Sequence, residues 1–257
     1  MKKFLITVLA GIMVFALAAC GGNAGNKETE GETAAEGKTT LVMATNAEFP
    51  PYEFWEGDRI IGIDAEIAAA IAEELGMELQ IEDMAFDSII GAVQTGKADF
   101  GAAGMTVNEE RLQSVDFSET YTTAKQVIIV KEDSEINGPD DLTGKKIGVQ
   151  LGTTGDIYAT DDYGDECVER YNKGFEAVMA LSQDKIDAVI IDNEPAKVFV
   201  AENAGLKILE TEYALEEYAL AIAKDNTKLL GQINEVIGKL KESGKLQEII
   251  DKYITAE

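Results

Sequence analysis

Two segments of this chain follow one pattern, and that pattern constrains the fold more than any other feature. Residues 86–104, FDSIIGAVQTGKADFGAAG, and residues 175–193, FEAVMALSQDKIDAVIIDN, both open with phenylalanine and an acidic residue. In each, an apolar helical stretch leads through Lys-x-Asp into a strand of small or apolar residues. The likeness is too short for a tandem repeat, but it predicts two lobes built to one plan.

Strand and helix patterns alternate from Thr40 onward, as in an α/β domain with parallel strands and crossover helices. The predicted helices are GIDAEIAAAIAEELG, with Asp64 as N-cap and Gly76 as C-cap, and DSIIGAVQTG, capped by Asp87 and Gly96. The predicted strands around them are TLVMAT (40–45), MELQIED (77–83) and ADFGAAGMT (98–106). A second unit starts near KKIGVQLGTTGDIYA (145–159).

Two further segments are predicted to carry the chain between the units, residues 123–131 and 216–226. This predicts a first lobe of residues 41–122 plus 213–257 and a second lobe of residues 123–212, joined by a hinge. Ligands of open α/β sheets bind outside the carboxyl ends of the strands, so the cleft between the lobes is the expected site.

The N-terminus is predicted to be a targeting segment rather than part of the fold. Residues 1–19 combine Lys2 and Lys3 with an apolar run, the layout of a signal peptide. LAAC, ending in Cys20, resembles the bacterial lipobox, whose cysteine is lipidated; the alternatives are an uncleaved anchor or a soluble secreted protein. The rest of the segment 20–40 is predicted to be a flexible tether. The expected location is extracytoplasmic, anchored to the cell membrane of a Gram-positive-type cell or in a periplasm.

Charge and composition exclude several classes of function. The formal net charge of −26 disfavours nucleic acid as a partner. The acidity favours cationic ligands or serves solubility, and both interpretations stay open. The chain has no histidine, which disfavours hydrolytic triads and transition-metal sites. We therefore expect no cofactor and no metal, and we expect Cys167 to be an incidental thiol.

The end of the predicted strand 98–106 carries groups suited to an anion and an ammonium. Gly104 would let a ligand approach the backbone carbonyl, and Thr106 offers a hydroxyl. Arg111 offers a planar fork of donors that matches a carboxylate. Taken alone, Arg111 could instead be a surface partner of Glu109 or Glu110.

The second unit supplies the complementary charge. Asp192 ends the apolar strand IDAVIID, where packing explains a carboxylate poorly, although it could cap the next helix. Thr153 and Thr154 lie at a strand-to-helix turn, where hydroxyls and free amides gather around an anion. With Arg111 for a carboxylate and Asp192 for an ammonium, the sequence predicts a receptor for a zwitterion, an α-amino acid.

From Leu41 to Ile254 the sequence resembles the polar amino-acid family of ABC-transporter solute-binding proteins. The motifs that carry the likeness are NAEFPPYEF, GIDAEIAAAIAEELG, FDSIIGAVQTGKADF, GMTVNEERLQSVDFSETY, GKKIGVQLGTTG and DAVIIDN. The resemblance implies a two-lobed periplasmic-binding-protein-like α/β fold of type II. Each lobe would be a mostly parallel sheet flanked by helices, with a two-strand hinge, in a monomer.

The resemblance also assigns roles by position. Arg111 would bind the α-carboxylate, assisted by Thr106, Thr154 and the amide of Thr153. Asp192 and the Gly104 carbonyl would bind the α-ammonium.

The ligand's side chain would lie between Phe49 and Phe86, either of which could equally be a core residue. Glu53 and Asp156 are further polar candidates near the ligand's far end. The other expected contacts are Asn46, Glu48, Tyr52, Ala103, Met105 and Gln150.

The resemblance implies capture of a polar L-amino acid and its delivery to ABC permease and ATPase subunits. The acidic candidates favour arginine or lysine, with glutamine next. Two alternatives stay open: a cyclohexadienyl dehydratase-like enzyme on the same fold, and an amino-acid-sensing surface lipoprotein.

Overall fold

Strands and helices alternate along residues 39–254, the part of the chain that the computed structural model describes. The strands are β1 (Thr40–Thr45), β2 (Glu48–Phe49), β3 (Glu53–Glu56), β4 (Arg59–Ile61), β5 (Glu78–Asp83), β6 (Phe100–Gly101), β7 (Val115–Phe117), β8 (Thr122–Lys131), β9 (Ile147–Gln150), β10 (Val168–Tyr171), β11 (Ala188–Asp192), β12 (Leu206–Ile208), β13 (Ala214–Tyr218) and β14 (Ala221–Ala223). The helices are α1 (Ile63–Leu75), α2 (Ile89–Gln94), α3 (Glu109–Ser114), α4 (Thr154–Tyr163), α5 (Gly174–Ser182), α6 (Asn193–Glu202), α7 (Thr227–Glu242) and α8 (Lys245–Tyr253).

The predicted signal peptide, Cys20 and nearly all of the tether lie outside the described residues. Within them, no helix has the length and apolar character needed to cross a bilayer.

Two mixed sheets carry the fold. The first has the strand order β5-β1-β6-β14-β7, and the second has the order β10-β9-β11-β8-β12, with β13 also paired to β8. In the first sheet β1, β5 and β6 are parallel, and β14 runs antiparallel to its neighbours β6 and β7. In the second sheet β9, β10 and β11 are parallel, and β8 runs antiparallel to β11, β12 and β13. A small antiparallel sheet, β2-β3-β4, joins the first unit. The predicted two-lobed α/β fold is confirmed.

The internal similarity seen in the sequence has a direct counterpart in the sheets. In the first unit, β1 lies between β5 and β6; in the second, β9 lies between β10 and β11. The segments 86–104 and 175–193 supply the equivalent helix and third strand of each unit, α2 with β6 and α5 with β11. Equivalent strands therefore bring their carboxyl ends to equivalent places.

The chain passes between the sheets twice. Strand β8 follows β7 of the first sheet and enters the second, while β13 pairs antiparallel with β8 and then leads into β14 of the first sheet. The predicted crossing at 216–226 is thus made of two strands in different sheets rather than one. The exact lobe boundaries remain a prediction.

Two predicted helix caps are wrong. Gly62 is the N-cap of α1, and Asp64 lies within the first turn with a fully buried side chain. A Cβ at Gly62 would lie 2.2 Å from the Tyr52 carbonyl oxygen, so only glycine fits. Ser88 precedes α2, and Asp87 belongs to a short 3-10 turn. The C-terminal cap of α1 at Gly76 is confirmed, with φ +65°.

The predicted strand 98–106 is wrong beyond its middle. Strand β6 ends at Gly101, and the Ala102 N–H adds one more bond to the Ala44 carbonyl. Gly104 then adopts φ +51°, a left-handed conformation that turns the chain across the end of the sheet. Residues 103–106 therefore lie over the carboxyl ends of the strands.

Helices α7 and α8 close the first unit. One face of α7 is buried, through Leu229, Ile233, Val236, Ile237 and Leu240. Gly244, at φ +78°, ends the run and starts α8. Helix α1 packs with both helices, which returns the C-terminal segment to the unit where the described chain began.

Candidate functional site

The carboxyl ends of the central strands meet at one cavity. Asn46 follows β1, Gln150 ends β9 and Asp192 ends β11, so three strands each deliver one polar residue. The lining residues are Asn46, Phe49, Glu53, Phe86, Ala103, Gly104, Thr106, Arg111, Gln150, Thr153, Thr154 and Asp192. All except Glu53 belong to the set of predicted ligand contacts, and Glu53 was a further polar candidate.

Arg111 is a buried cavity residue rather than a surface partner of Glu109 or Glu110. It lies in the first turn of α3, where the Asn108 side chain accepts its backbone N–H at 2.8 Å. Its Nη1 donates to the Thr106 carbonyl at 2.7 Å, and its Nη2 donates to the Gly152 carbonyl at 3.2 Å. Burial lowers the pKa of Arg111, and the nearby charges of Glu216 and Asp192 oppose that change. These two bonds fix the orientation of the Arg111 guanidinium and leave its other N–H groups to donate to an anion.

Phe86 supports the guanidinium of Arg111. The Arg111 Cζ lies 5.3 Å from the centre of the Phe86 ring, within the range of a cation–π contact. Phe49 faces the cavity from β2, and its ring stacks on Tyr52 with centroids 6.0 Å apart. Both aromatic rings therefore line the cavity and also pack against protein groups.

Asp192 brings a carboxylate to the cavity from the second unit. It occupies the N-cap position of α6, but its side chain makes no capping bond. Instead it accepts a hydrogen bond from the Tyr218 hydroxyl. Burial, followed by the charge of Glu216, raises the pKa of Asp192 to about 8. A buried carboxylate in this state gains much from an ammonium ligand.

The N-terminus of α4 supplies Thr153 and Thr154. The Thr153 hydroxyl donates to the Gln150 carbonyl at 2.8 Å and accepts from the Asp156 N–H at 3.4 Å, so it caps its own helix. The Thr153 amide donates to the Gln150 carbonyl at 3.3 Å. The Thr154 hydroxyl is buried and accepts from Gln126 Nε2 at 3.5 Å. Of the two hydroxyls, only that of Thr154 is not occupied by its own turn.

The far end of the cavity is closed by two amides. Gln150 Nε2 donates to Asn46 Oδ1 at 2.8 Å, and this bond joins the two units. Asn46 in turn donates to the Met84 carbonyl at 2.8 Å. Asp156, another far-end candidate, does not line the cavity, because it forms an ion pair with Arg170 at 2.8 Å.

Three expected contacts do not line the cavity. Glu48 precedes Phe49 on β2 and points to the opposite face, where it pairs with Lys173. Met105 alternates with Gly104 and Thr106 and is fully buried in the core. The Tyr52 ring packs edge-on against Tyr218, with centroids 5.1 Å apart.

Beside the cavity, Asp64, which the sequence analysis did not assign to the site, meets the far-end candidate Glu53. Glu53 and Asp64 interact with each other, and both are fully buried. No donor among residues 39–254 bonds either oxygen of Glu53. Burial and the charge of Asp64 raise the pKa of Glu53 well above its usual value, and burial raises the pKa of Asp64 to about 6. Burial therefore favours a protonated Glu53 that donates to Asp64.

Glu216 is the second unassigned carboxylate. It lies on β13 with 4% of its surface exposed and accepts from Thr106 Oγ1 at 3.1 Å and from Gln126 Nε2 at 3.0 Å. The alternation in ALEEY places it inward and Glu217 outward, a signal visible only once this strand is recognised. Among residues 39–254 no group of acidic or cysteine side chains is arranged to hold a metal ion.

Comparison with known proteins shows which family the chain resembles. The bacterial extracellular solute-binding proteins, family 3, match residues 41–256. The arginine-binding extracellular protein ArtP of Bacillus subtilis (strain 168) is 34% identical over 262 residues, covering 100% of both chains.

Two solved structures extend the match. A crystal structure of the substrate binding protein of an amino acid ABC transporter has a TM-score of 0.79 and 40% identity, covering 84% of this chain and 100% of that chain. The arginine-, lysine-, histidine-binding protein ArtJ from Geobacillus stearothermophilus has a TM-score of 0.80 and 33% identity, covering 85% of this chain and 96% of that chain. The chain therefore belongs to the bacterial extracellular solute-binding proteins, family 3.

Proposed function

We propose that this chain captures an L-amino acid with a cationic side chain and delivers it to the permease of an ABC importer. The observation that carries the proposal is the placement of Arg111 and Asp192 in one cavity, from different units of the fold. A guanidinium and a carboxylate held apart in this way match the two ends of a zwitterion. Arg111 and Thr154 take the α-carboxylate, while Asp192 and the Gly104 carbonyl take the α-ammonium.

The excess of buried carboxyl groups supports a cationic side chain on the ligand. Around the cavity, Glu53, Asp64, Asp192 and Glu216 are buried against the single buried guanidinium of Arg111. Burial raises the pKa of Glu53, Asp64 and Asp192, so these carboxyl groups lack a compensating cation, and a ligand of net positive charge supplies one. The names of ArtP and ArtJ, which state arginine, lysine and histidine, agree with this choice.

Glutamine is the next candidate because the far end of the cavity carries amides. The hydrogen bond from Gln150 to Asn46 offers one donor and one acceptor that an amide side chain could join. Phe49 and Phe86 would flank either side chain.

The same proposal places the protein outside the cytoplasm, as the family's extracellular character supports. Cys20 carries the lipid and residues 21–40 act as the tether to the membrane. The cavity would close around the ligand through rotation of the two lobes about β8 and β13. The chemistry is binding and release, with no covalent step.

Isothermal titration calorimetry of the mature chain against the twenty amino acids tests the proposal. We expect arginine or lysine to bind tightest, in the micromolar range or below. Arg111→Ala should weaken binding on the order of a hundredfold or more, because it also leaves the ligand carboxylate without its partner. Arg59→Ala, at an exposed arginine, serves as the matched control and should leave the affinity unchanged. Binding of every amino acid weaker than millimolar would contradict the proposal.

A further inference from the structure

A chain of hydrogen bonds runs beneath the cavity from one threonine to the other. Thr106 Oγ1 is 3.1 Å from Glu216 Oε2, and Gln126 Nε2 is 3.0 Å from the same oxygen. The Gln126 amide also reaches Thr154 Oγ1 at 3.5 Å. This series of hydrogen bonds therefore links residues of both units through Gln126 on β8 and Glu216 on β13, the two strands that join the units.

Packing does not explain a carboxylate at position 216. Its side chain lies on the inward face of β13, together with that of Tyr218, and 4% of its surface is exposed. An ionised side chain there is costly to bury, and an apolar residue would serve the core better. Glu216 also faces Arg111, whose pKa it raises, and Asp192, whose pKa it raises as well. It thus acts on both charges of the cavity.

The direction of the hydrogen bond to Thr106 has a consequence for the ligand. The Thr106 hydroxyl donates to Glu216 Oε2, so its single proton points to Glu216. The Thr106 oxygen then presents lone pairs to the cavity. In this orientation Thr106 accepts from an ammonium and has no proton to donate to a carboxylate.

We propose that Glu216 is a positioning residue that fixes Thr106 as a hydrogen-bond acceptor for the α-ammonium of the ligand, while Gln126 orients Glu216. This inference rests on the proposed function and moves Thr106 from the carboxylate end, where the resemblance placed it, to the ammonium end. Glu216 itself does not touch the ligand. Its effect on affinity passes through the hydroxyl of Thr106.

Glu216→Gln tests the proposal with little change of shape. The new amide can present either its oxygen or its nitrogen to Thr106 Oγ1, so the hydroxyl is no longer fixed as a donor to position 216 and the Thr106 oxygen is no longer reserved for the ammonium. By calorimetry, L-arginine should bind ~10- to 100-fold more weakly to this variant, the effect of one lost bond to a charged group. Glu216→Asp keeps an acceptor and should recover much of the affinity. Glu217→Gln changes the exposed neighbour on the same strand and should bind as the parent does.

A ligand without the ammonium separates positioning from a general structural role. With 5-guanidinopentanoate, which keeps the carboxylate and guanidinium of arginine, Glu216→Gln should bind no more weakly than the parent chain. On a Thr106→Val background, Glu216→Gln should no longer weaken the binding of arginine. Equal losses for both ligands, or an undiminished loss on the background that lacks the Thr106 hydroxyl, would overturn the inference.

The same measurements distinguish this inference from the proposed function. If the parent chain binds L-glutamine more tightly than L-arginine, glutamine and glutaramate replace arginine and 5-guanidinopentanoate. Failure of the parent chain to bind any amino acid overturns the proposed function. Tight binding that is unchanged in Glu216→Gln overturns the role of Glu216 alone. Thermal melts check that Glu216→Gln and Glu216→Asp are folded.

Discussion

The side chain of Asp64 accepts a hydrogen bond of 2.8 Å from the backbone N–H of Gly104. This bond ties the first turn of α1 to the segment that crosses the ends of the strands. Gly104 holds a left-handed conformation there, and a Cβ on it would lie 3.2 Å from the rings of both Phe49 and Tyr218. The backbone beside the cavity is therefore fixed by one buried carboxylate and by the absence of a side chain.

Gly104→Ala should weaken both the fold and the ligand site. The left-handed conformation and the two tight ring contacts together should lower the free energy of unfolding by ~1–2 kcal/mol. Displacement of the Phe49 ring into the cavity should also weaken amino-acid binding. Urea denaturation and calorimetry measure the two effects. Gly91→Ala is the control, because this exposed glycine of α2 has no atoms within 4 Å of the added methyl and should gain ~0.5–1 kcal/mol.

Glu53→Gln should stabilise the protein increasingly as pH rises. In the folded chain the pKa of Glu53 is raised well above 4.5 by burial and then by Asp64. Above pH 4.5 the folded state thus holds a proton that the unfolded state has lost, so the free energy of unfolding falls with rising pH. Glutamine at this position does not titrate and avoids that loss.

Urea denaturation at about pH 5 and about pH 8 checks this prediction. The advantage of Glu53→Gln over the parent should be larger at the higher pH, by on the order of 1 kcal/mol or more. Glu56→Gln, at an exposed end of the same strand, should show no such change. An advantage that is constant or shrinks as pH rises would show that Glu53 is not protonated in the folded chain.

Asp192→Asn should raise the stability of the fold and weaken the binding of the amino acid. Burial and the charge of Glu216 raise the pKa of Asp192 from 3.8 to about 8, so this carboxyl costs stability as pH rises through that interval. Asparagine can still accept from the Tyr218 hydroxyl and carries no charge. At about pH 7.5 we expect the free energy of unfolding to rise by ~1–3 kcal/mol. Amino-acid affinity should fall ~10- to 100-fold or more, because the ammonium loses its counter-charge. A variant that is both less stable and fully active in binding would refute this assignment.

The sequence predicted those parts of the molecule in which apolar and polar residues follow a helix or strand pattern over a short segment. The likeness of 86–104 to 175–193 predicted two units, and strand ends placed Arg111 and Asp192 near one cleft. Asp64 was mistaken for a cap because its bond to Gly104 is a long-range contact. The inward position of Glu216 likewise depends on the pairing of β13 with β8, which no local pattern reveals.

The differences between the expected contacts and the cavity lining have the same origin. Met105 and Glu48 were grouped with neighbours that do line the cavity, although alternation along an extended chain turns adjacent side chains to opposite faces. Gly104 was expected to let a ligand approach the backbone carbonyl. In the structure its left-handed conformation also turns the chain away from the extended direction of β6.

Asn46→Asp should raise the preference of the site for arginine over glutamine. Asn46 closes the far end of the cavity, where its Oδ1 accepts from Gln150 Nε2 at 2.8 Å. A carboxylate there would keep that bond, lose the one to the Met84 carbonyl and add a charge that pairs with a guanidinium, whereas a glutamine amide gains less from it. The ratio of the two affinities should rise by about tenfold, as one charge-assisted bond predicts. Asn172→Asp adds the same charge at an exposed residue whose carbonyl accepts from Gln150, and it should leave the ratio unchanged. If both variants change the ratio equally, general electrostatics rather than contact at position 46 determines the preference, and arginine would not reach Asn46.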